Sequence, residues 1–331
     1  MKAIVQDHYG SEESLELAEI DKPRIGDDEV LVRVHAASVH VGDLILMAGV
    51  PRFMRLATGL RRPKNRVPGT DVAGTVEAIG KDVTKLVPGD EVFGWCTGAF
   101  AEYARASENQ LIRKPANLTF EKAAAIGVSA TTALQLLRDE GKVQPGQKVL
   151  INGASGGVGT YAVQIAKAFG AEVTAVCSTR NVELVRSIGA DRVIDYTKED
   201  FTKGGPRYDF ILDNVGNHSL SETRRALTPN GRLLPNGGGH SGGALGKLIK
   251  AHLSAFFVRQ QARPAIKFQN PADLVALKSL VETGQVVSVI GATYPLGDAA
   301  RAIGHVGDGH ARGTVVITVR DDRAAAGPAG P

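Results

Sequence analysis

The sequence predicts an α/β protein in which a doubly wound parallel sheet follows a β-rich domain of barrel type. Three observations carry this. A strand, a glycine-rich turn, a helix and a second strand succeed one another over residues 147–177. From about residue 126 onward, helical and strand-like runs alternate. Before that point, short strand-like runs are separated by proline–glycine turns.

In chain order, strands are expected at 2–6, 29–35, 72–79 and 91–94. Gly26-Asp27-Asp28, Val67-Pro68-Gly69 and Val87-Pro88-Gly89-Asp90 supply the turns between them. Such spacing suggests a small antiparallel barrel. After the glycine-rich unit come a helix at 181–188, strands at 192–196 and 208–213, a helix at 219–227 and a strand near 231–234. A helix near 244–257 follows, then a helix at 271–283, a strand at 286–293, a helix at 297–306 and a last strand at 313–319. Residues 321–331 hold little that could be buried and read as a disordered tail.

The 147–177 unit carries the chemistry. Gln147–Asn152 is a short apolar run suited to a strand covered on both faces. Gly153-Ala154-Ser155-Gly156-Gly157-Val158-Gly159 follows, and read from Ala154 it has the spacing A-x-G-x-x-G. Gly156 lets backbone approach a pyrophosphate, and Gly159 lets the helix pack close to the strand. The helix start turns free N–H groups and a positive dipole end toward anions. Val158, Ala162, Ile165, Ala166 and Phe169 form the apolar face of that helix, and Gly170 stops it. Ala154, Ser155, Gly156, Gly157, Val158 and Gly159 are therefore candidate dinucleotide-binding residues.

The end of the next strand bears on the choice of cofactor. NAD sites place a carboxylate there for the ribose hydroxyls, whereas Cys177-Ser178-Thr179-Arg180-Asn181 contains none. A hydroxyl at Ser178 and a guanidinium at Arg180 suit a 2′-phosphate, so NADPH is expected.

Composition sets bounds. The chain has 331 residues, 43% hydrophobic and 22% charged, with a net charge of +4, which is ordinary for a globular protein of two domains. The basic residues are mostly scattered and give no nucleic-acid stripe. A basic stretch, Arg52 to Arg66, is read as a loop with a solvated face, the alternative being a surface for anionic lipid or an acidic partner. Cys96 and Cys177 lack metal spacing and suit a reducing compartment. With no apolar run of membrane-spanning length and a strand-like start, a cytoplasmic protein is expected.

Pro68 to Gly80, Pro88 to Val92, Gly98 to Tyr103 and the Gly153–Gly159 turn together resemble the medium-chain dehydrogenase/reductase superfamily. Val193 to Tyr196 and Leu212 to Gly216 look like its zinc-independent quinone oxidoreductase branch. The resemblance implies a Rossmann domain (126–262) inserted into a GroES-like β-barrel domain (1–125 plus 263–320), with the cofactor in a cleft between them. It also implies that Ser129 and Thr132 line the cofactor site and that Tyr196 meets the adenosine end. Asn214, Val215 and Gly216 would lie near the ribose and nicotinamide. A homodimer is implied as well.

The departures matter. Zinc-dependent relatives place a histidine and a glutamate after the glycine, where this chain has Thr70 and Asp71, and no four-cysteine lobe exists, so no metal is expected. Oxidising a simple alcohol needs a Lewis acid. Without one, hydride transfer to a quinone or an α,β-unsaturated carbonyl is the easier reaction. A zinc-type alcohol dehydrogenase and a non-catalytic NADPH-binding redox sensor are the alternatives. None of the six tyrosines has a lysine four residues on, which excludes a short-chain dehydrogenase. Finally, Ala36 to Asp43 resembles the Asn-x-x-Asp segment of the superfamily, with His40 in the asparagine position. His40 and Asp43 are the candidate catalytic residues, because histidine can deliver a proton near neutral pH.

Overall fold

The computed structural model describes residues 1–237, 261–262 and 269–319. Two compact units are present. The first comprises Met1–Ser129, Gln269–Glu282 and the chain from Ser288, and the second comprises the chain from Ala130 together with Thr283–Val287. The expected helix at 244–257, the expected boundary at 262/263 and the tail at 321–331 fall wholly or partly outside the described residues.

In the first unit the chain runs through β1 (Lys2–Gln6), β2 (Leu15–Glu19), β3 (Glu29–Val39), α1 (Val41–Ala48) and α2 (Arg55–Thr58). It continues with β4 (Asp71–Ile79), β5 (Glu91–Trp95), β6 (Tyr103–Ser107), β7 (Leu111–Arg113) and α3 (Phe120–Ala124). Helix α4 (Gly127–Gln135) contains the last residues of this unit and the first of the second. The second unit adds β8 (Lys148–Asn152), α5 (Gly157–Ala168), β9 (Glu172–Cys177), α6 (Val182–Ser187) and β10 (Arg192–Asp195). Then follow β11 (Tyr208–Asp213), α7 (Leu220–Arg225), β12 (Leu227–Pro235) and β13 (Gln261–Ala262). The chain returns to the first unit with the helix Pro271–Glu282, β14 (Ile290–Pro295), the helix Ala299–Gly307 and β15 (Thr314–Thr318).

β3 organises the first unit. Its eleven residues pair antiparallel with β4, β6 and β15, within the order β14-β15-β3-β4-β5-β7. The β-branched side chains that it shares with its partners build the core: Val30, Val32 and Val34 pack with Val72, Val76 and Val92. In the second unit all six strands are parallel, in the order β10-β9-β8-β11-β12-β13. Counted from β8, that is the doubly wound order 3-2-1-4-5-6, with its reversal between β8 and β11. Leu150, Val176, Ile194 and Ile211 form part of one apolar cluster of this sheet.

Some expectations shift. β3 runs on to Val39, four residues beyond the expected end, because β15 pairs with Ala36 to Val39. The strand expected at 286–293 begins only at Ile290. The reason is a side chain. Gln164 of α5 accepts from the Val287 N–H (2.8 Å) and donates to the Val287 carbonyl (3.0 Å), so this backbone pairs with a helix instead of a strand. The helix expected at 297–306 opens with a tight turn at Leu296–Asp298 and runs from Ala299 to Gly307. The basic stretch expected as a loop holds a 3₁₀ turn at Arg52–Met54 and the single-turn α2.

Replacing Gln164 with leucine should therefore remove the partners of both backbone groups of the half-exposed Val287. A loss of about 1–3 kcal/mol in unfolding free energy is expected in urea titrations. Wild-type stability in Gln164→Leu would show that the clamp is dispensable.

Candidate functional site

The turn after β8 is shaped by what cannot be there. Gly153 has φ +75°, a region in which side chains are strained. A Cβ on Gly159 would run into the Gly153 carbonyl and the Ala154 backbone. A Cβ on Gly156 would meet only the Gly153 carbonyl oxygen, at 3.6 Å, so the space beside this residue is open. Ala154 is buried, and its N–H donates to the Val176 carbonyl (3.0 Å), tying the turn to β9. Gly156 is the N-cap of α5 and brings no side-chain hydrogen bond, so no side chain caps the first turn at Gly157, Val158 and Gly159. These residues form a cradle that fits a dinucleotide phosphate at a helix start.

Beside the cradle lies a residue that the sequence reading missed. Asn181 is buried, and its amide donates to the Ser155 hydroxyl (2.9 Å) and more weakly to the Ser178 hydroxyl (3.3 Å), while its own Oδ1 has no partner. It fixes both serines, and only the turn geometry reveals it. Arg180 is exposed in the turn Thr179–Asn181. Although the end of β9 carries no carboxylate, the parallel register sets Asp195 of β10 opposite Cys177, and Asp195 accepts from Thr179 (2.6 Å). Hydrogen bonds from Thr179 and then Thr197 hold the Asp195 carboxyl down at about 2, so it is charged at neutral pH. Tyr196 follows β10, half exposed, with its N–H on the Cys177 carbonyl.

At the reversal of the sheet, Asp213 ends β11 and is buried. One of its oxygens accepts from the Asn152 side chain (2.8 Å) and from the backbone N–H groups of Val215 (3.1 Å) and Gly216 (2.8 Å). Asn214 donates to the Asn152 carbonyl (3.1 Å), and Asn236 donates to Asn214 (2.7 Å). The structure thus brings Ala154 to Gly159 and Asn214 to Gly216 together around the ends of β8 and β11. Ser129 and Thr132 are both buried on α4.

The first unit holds the other candidates. His40 is the extended N-cap of α1, and its backbone N–H donates to Asp43 (2.9 Å). Its ring Nε2 lies 2.8 Å from the Thr70 hydroxyl and 3.5 Å from Asp43 Oδ2. Nδ1 and the second Asp43 oxygen are buried without partners. Burial lowers the His40 pKa despite the nearby Asp71 charge, and burial raises Asp43 to about 7. Asp71 is raised to about 6, again by burial, although it accepts from Ser38 (2.8 Å) and from the Val128 N–H (3.0 Å). Cys96 is a free buried thiol whose pKa burial pushes well up.

This set does not fit a zinc ion. Thr70 offers a neutral hydroxyl, Asp71 is engaged by Ser38 and Val128, and Cys96 is held as the thiol rather than the thiolate that zinc requires. Among the described residues, no three His, Cys, Asp or Glu side chains gather in a way that could hold a metal.

Residues 26–116 match the alcohol dehydrogenase GroES-like domain, and residues 188–317 match a domain described as zinc-binding dehydrogenase. A mitochondrial NAD(P)H oxidoreductase of Bos taurus is 35% identical, covering 96% of this chain and 89% of the relative. A 2-methylene-furan-3-one reductase of Solanum lycopersicum is 32% identical over 88% of this chain and 78% of the relative. The solved quinone oxidoreductase of Coxiella burnetii superposes with a TM-score of 0.84 at 30% identity, covering 97% of this chain and 99% of that one. These similarities agree with the parallel sheet, the glycine cradle and the barrel strands. The chain is an oxidoreductase with a nicotinamide cofactor, and it belongs to the medium-chain dehydrogenase/reductase superfamily, in its quinone-oxidoreductase-like branch.

Proposed function

We propose that the protein uses NADPH to reduce a quinone or an α,β-unsaturated carbonyl, without zinc, as a cytoplasmic homodimer. The observation that carries this reading is the cradle at Ala154–Gly159, flanked by Asn181 and Ser178. It is a phosphate site built from backbone, with hydroxyls and a guanidinium nearby. Two similarities support the choice of substrate. The Coxiella structure is that of a quinone oxidoreductase, and the Solanum relative is a reductase of a 2-methylene-furan-3-one, itself an enone. Bound NADPH supplies a hydride. A quinone or enone that accepts it becomes an oxyanion, and the protein must hold that oxygen and protonate it.

His40 and Asp43 suit the second task. Burial opposes charge on both, so a proton put onto the pair sits on Asp43 below about pH 7 and leaves the imidazole neutral. The Thr70 hydroxyl on His40 Nε2 is the half-exposed end of this chain of polar groups. In this reading Thr70 hands its hydroxyl proton to the substrate oxygen and takes one back from His40 Nε2, the same nitrogen that Asp43 Oδ2 faces at 3.5 Å and resupplies with a proton. A redox sensor that binds NADPH without turning over is the second reading. Steady NADPH consumption with a panel of quinones and enones decides between them, since binding without turnover favours the sensor.

Three outcomes are expected. Metal analysis of purified protein should find zinc far below one ion per chain, and chelators should leave activity intact. Stoichiometric zinc lost together with activity would defeat the reading.

NADPH should bind more tightly than NADH in calorimetry. Arg180→Ala should remove about 1.5–3 kcal/mol of that preference, roughly ten- to a hundredfold, because a charged partner of the phosphate is lost. The ionised Asp195 beside Thr179 works against a phosphate, which makes the measurement discriminating. Equal wild-type affinities would refute the assignment.

Turnover should fall as pH rises past about 7, because Asp43 then loses the proton that it supplies. His40→Asn should lower turnover about ten- to a hundredfold, keep NADPH binding and flatten that fall. An unchanged rate and profile in the variant would show that His40 is structural.

A further inference from the structure

Large apolar side chains left in water are unevenly placed in this protein. Among the described residues thirteen are exposed, and seven of them lie within residues 41–60. Val41 and Ile45 look outward from α1 while Met47 of the same helix is buried in the core. Val50 and Phe53 follow in the connecting turn, then Leu56 and Leu60, which are 74% and 68% exposed. From Leu44 to Thr70 there are six cationic side chains and no Asp or Glu. Arg66 is paired with Asp7, and Arg55 is turned inward, but Arg52, Arg61, Arg62 and Lys64 are all exposed.

The surface is held from beneath. Arg55 donates to the carbonyls of Gly49 (2.9 Å) and Ala48 (3.2 Å) and stacks on the Tyr9 ring, so the start of α2 is fixed against the end of α1. The Tyr9 hydroxyl meets Thr58 (2.8 Å) and donates to the Gly59 carbonyl (2.7 Å). Polar anchors thus face inward here, and apolar side chains face water among exposed cations. For a lone soluble surface this is costly.

We propose that residues 41–64 form a docking surface for an anionic lipid bilayer. Phe53, Leu56 and Leu60 enter the boundary between headgroups and acyl chains, and Arg52, Arg61 and Lys64 meet the lipid phosphates. Apolar insertion joined to cationic attraction is the chemistry by which peripheral proteins bind such surfaces. A second copy of the chain is a poorer occupant. A two-fold contact would bring each cationic stretch against its own duplicate.

The test is co-sedimentation of the full-length protein with vesicles, one set pure phosphatidylcholine and the other mixed with phosphatidylglycerol. Wild type should bind the mixed vesicles far better and be released by salt. Arg52→Gln/Arg61→Gln/Lys64→Gln should weaken that binding on the order of a hundredfold, since each cation near an anionic surface contributes about fivefold. Leu56→Ser/Leu60→Ser should weaken it while leaving its salt dependence in place. Both variants should keep wild-type urea stability and wild-type turnover of a water-soluble quinone. No binding by wild type, equal binding to the two vesicle types, or wild-type binding by both variants would overturn the proposal. So would light scattering that shows a dimer dispersed by the leucine variant, which would make the surface a contact between copies.

Discussion

The second unit depends on one buried carboxylate. Asp213 stands where the order of the parallel sheet reverses, and it joins β11 to β8 through Asn152 while holding the turn at Val215 and Gly216. At this point the helices leave to opposite faces of the sheet and backbone polar groups are no longer consumed by neighbouring strands. An uncompensated charge there would be expensive, so three donors converge on one oxygen. The turn that these hydrogen bonds hold lies beside Gly153, whose missing side chain leaves room for Val215. The sheet reversal and the first residue of the glycine turn are therefore packed against each other.

The first unit meets burial differently. His40, Asp43 and Asp71 are titratable groups within a core of valines, and their surroundings disfavour charge on each of them. A zinc ion would reverse this by stabilising anionic ligands. Thr70 and the protonated Cys96 suit the opposite arrangement, a neutral, proton-holding cluster. A proton kept close to neutrality is easier to move than one held by a fully solvated acid or base.

Much of this was legible in the sequence, because the signals were local. The glycine turn, the alternation of strands and helices and the Pro68–Gly80 stretch each lie within a few consecutive residues. What could not be read depends on residues that are distant along the chain. Asp195 approaches Thr179 only because β10 lies in register beside β9. Thr70 reaches His40 across thirty residues. Asn181 has no motif of its own, and its importance appears only when two serines converge on it. The Val286–Val289 segment has the composition of a strand, yet Gln164, more than a hundred residues earlier, takes both backbone groups of Val287. In the basic stretch, composition showed charge but not the tethering by Tyr9 and Arg55, which makes a short helix of an expected loop.

The clamp between Gln164 and Val287 also has a consequence for biogenesis. Thr283–Val287 belongs to the second unit although the chain has by then already contributed the helix Pro271–Glu282 to the first. The first unit in turn waits for β15, at Thr314–Thr318, to cover Val39 and its neighbours on β3. The second unit cannot be completed until Thr283–Val287 has left the ribosome, nor the first until Thr314–Thr318 has. A nascent chain therefore carries two unfinished cores past residue 282, and both close between Thr283 and Thr318.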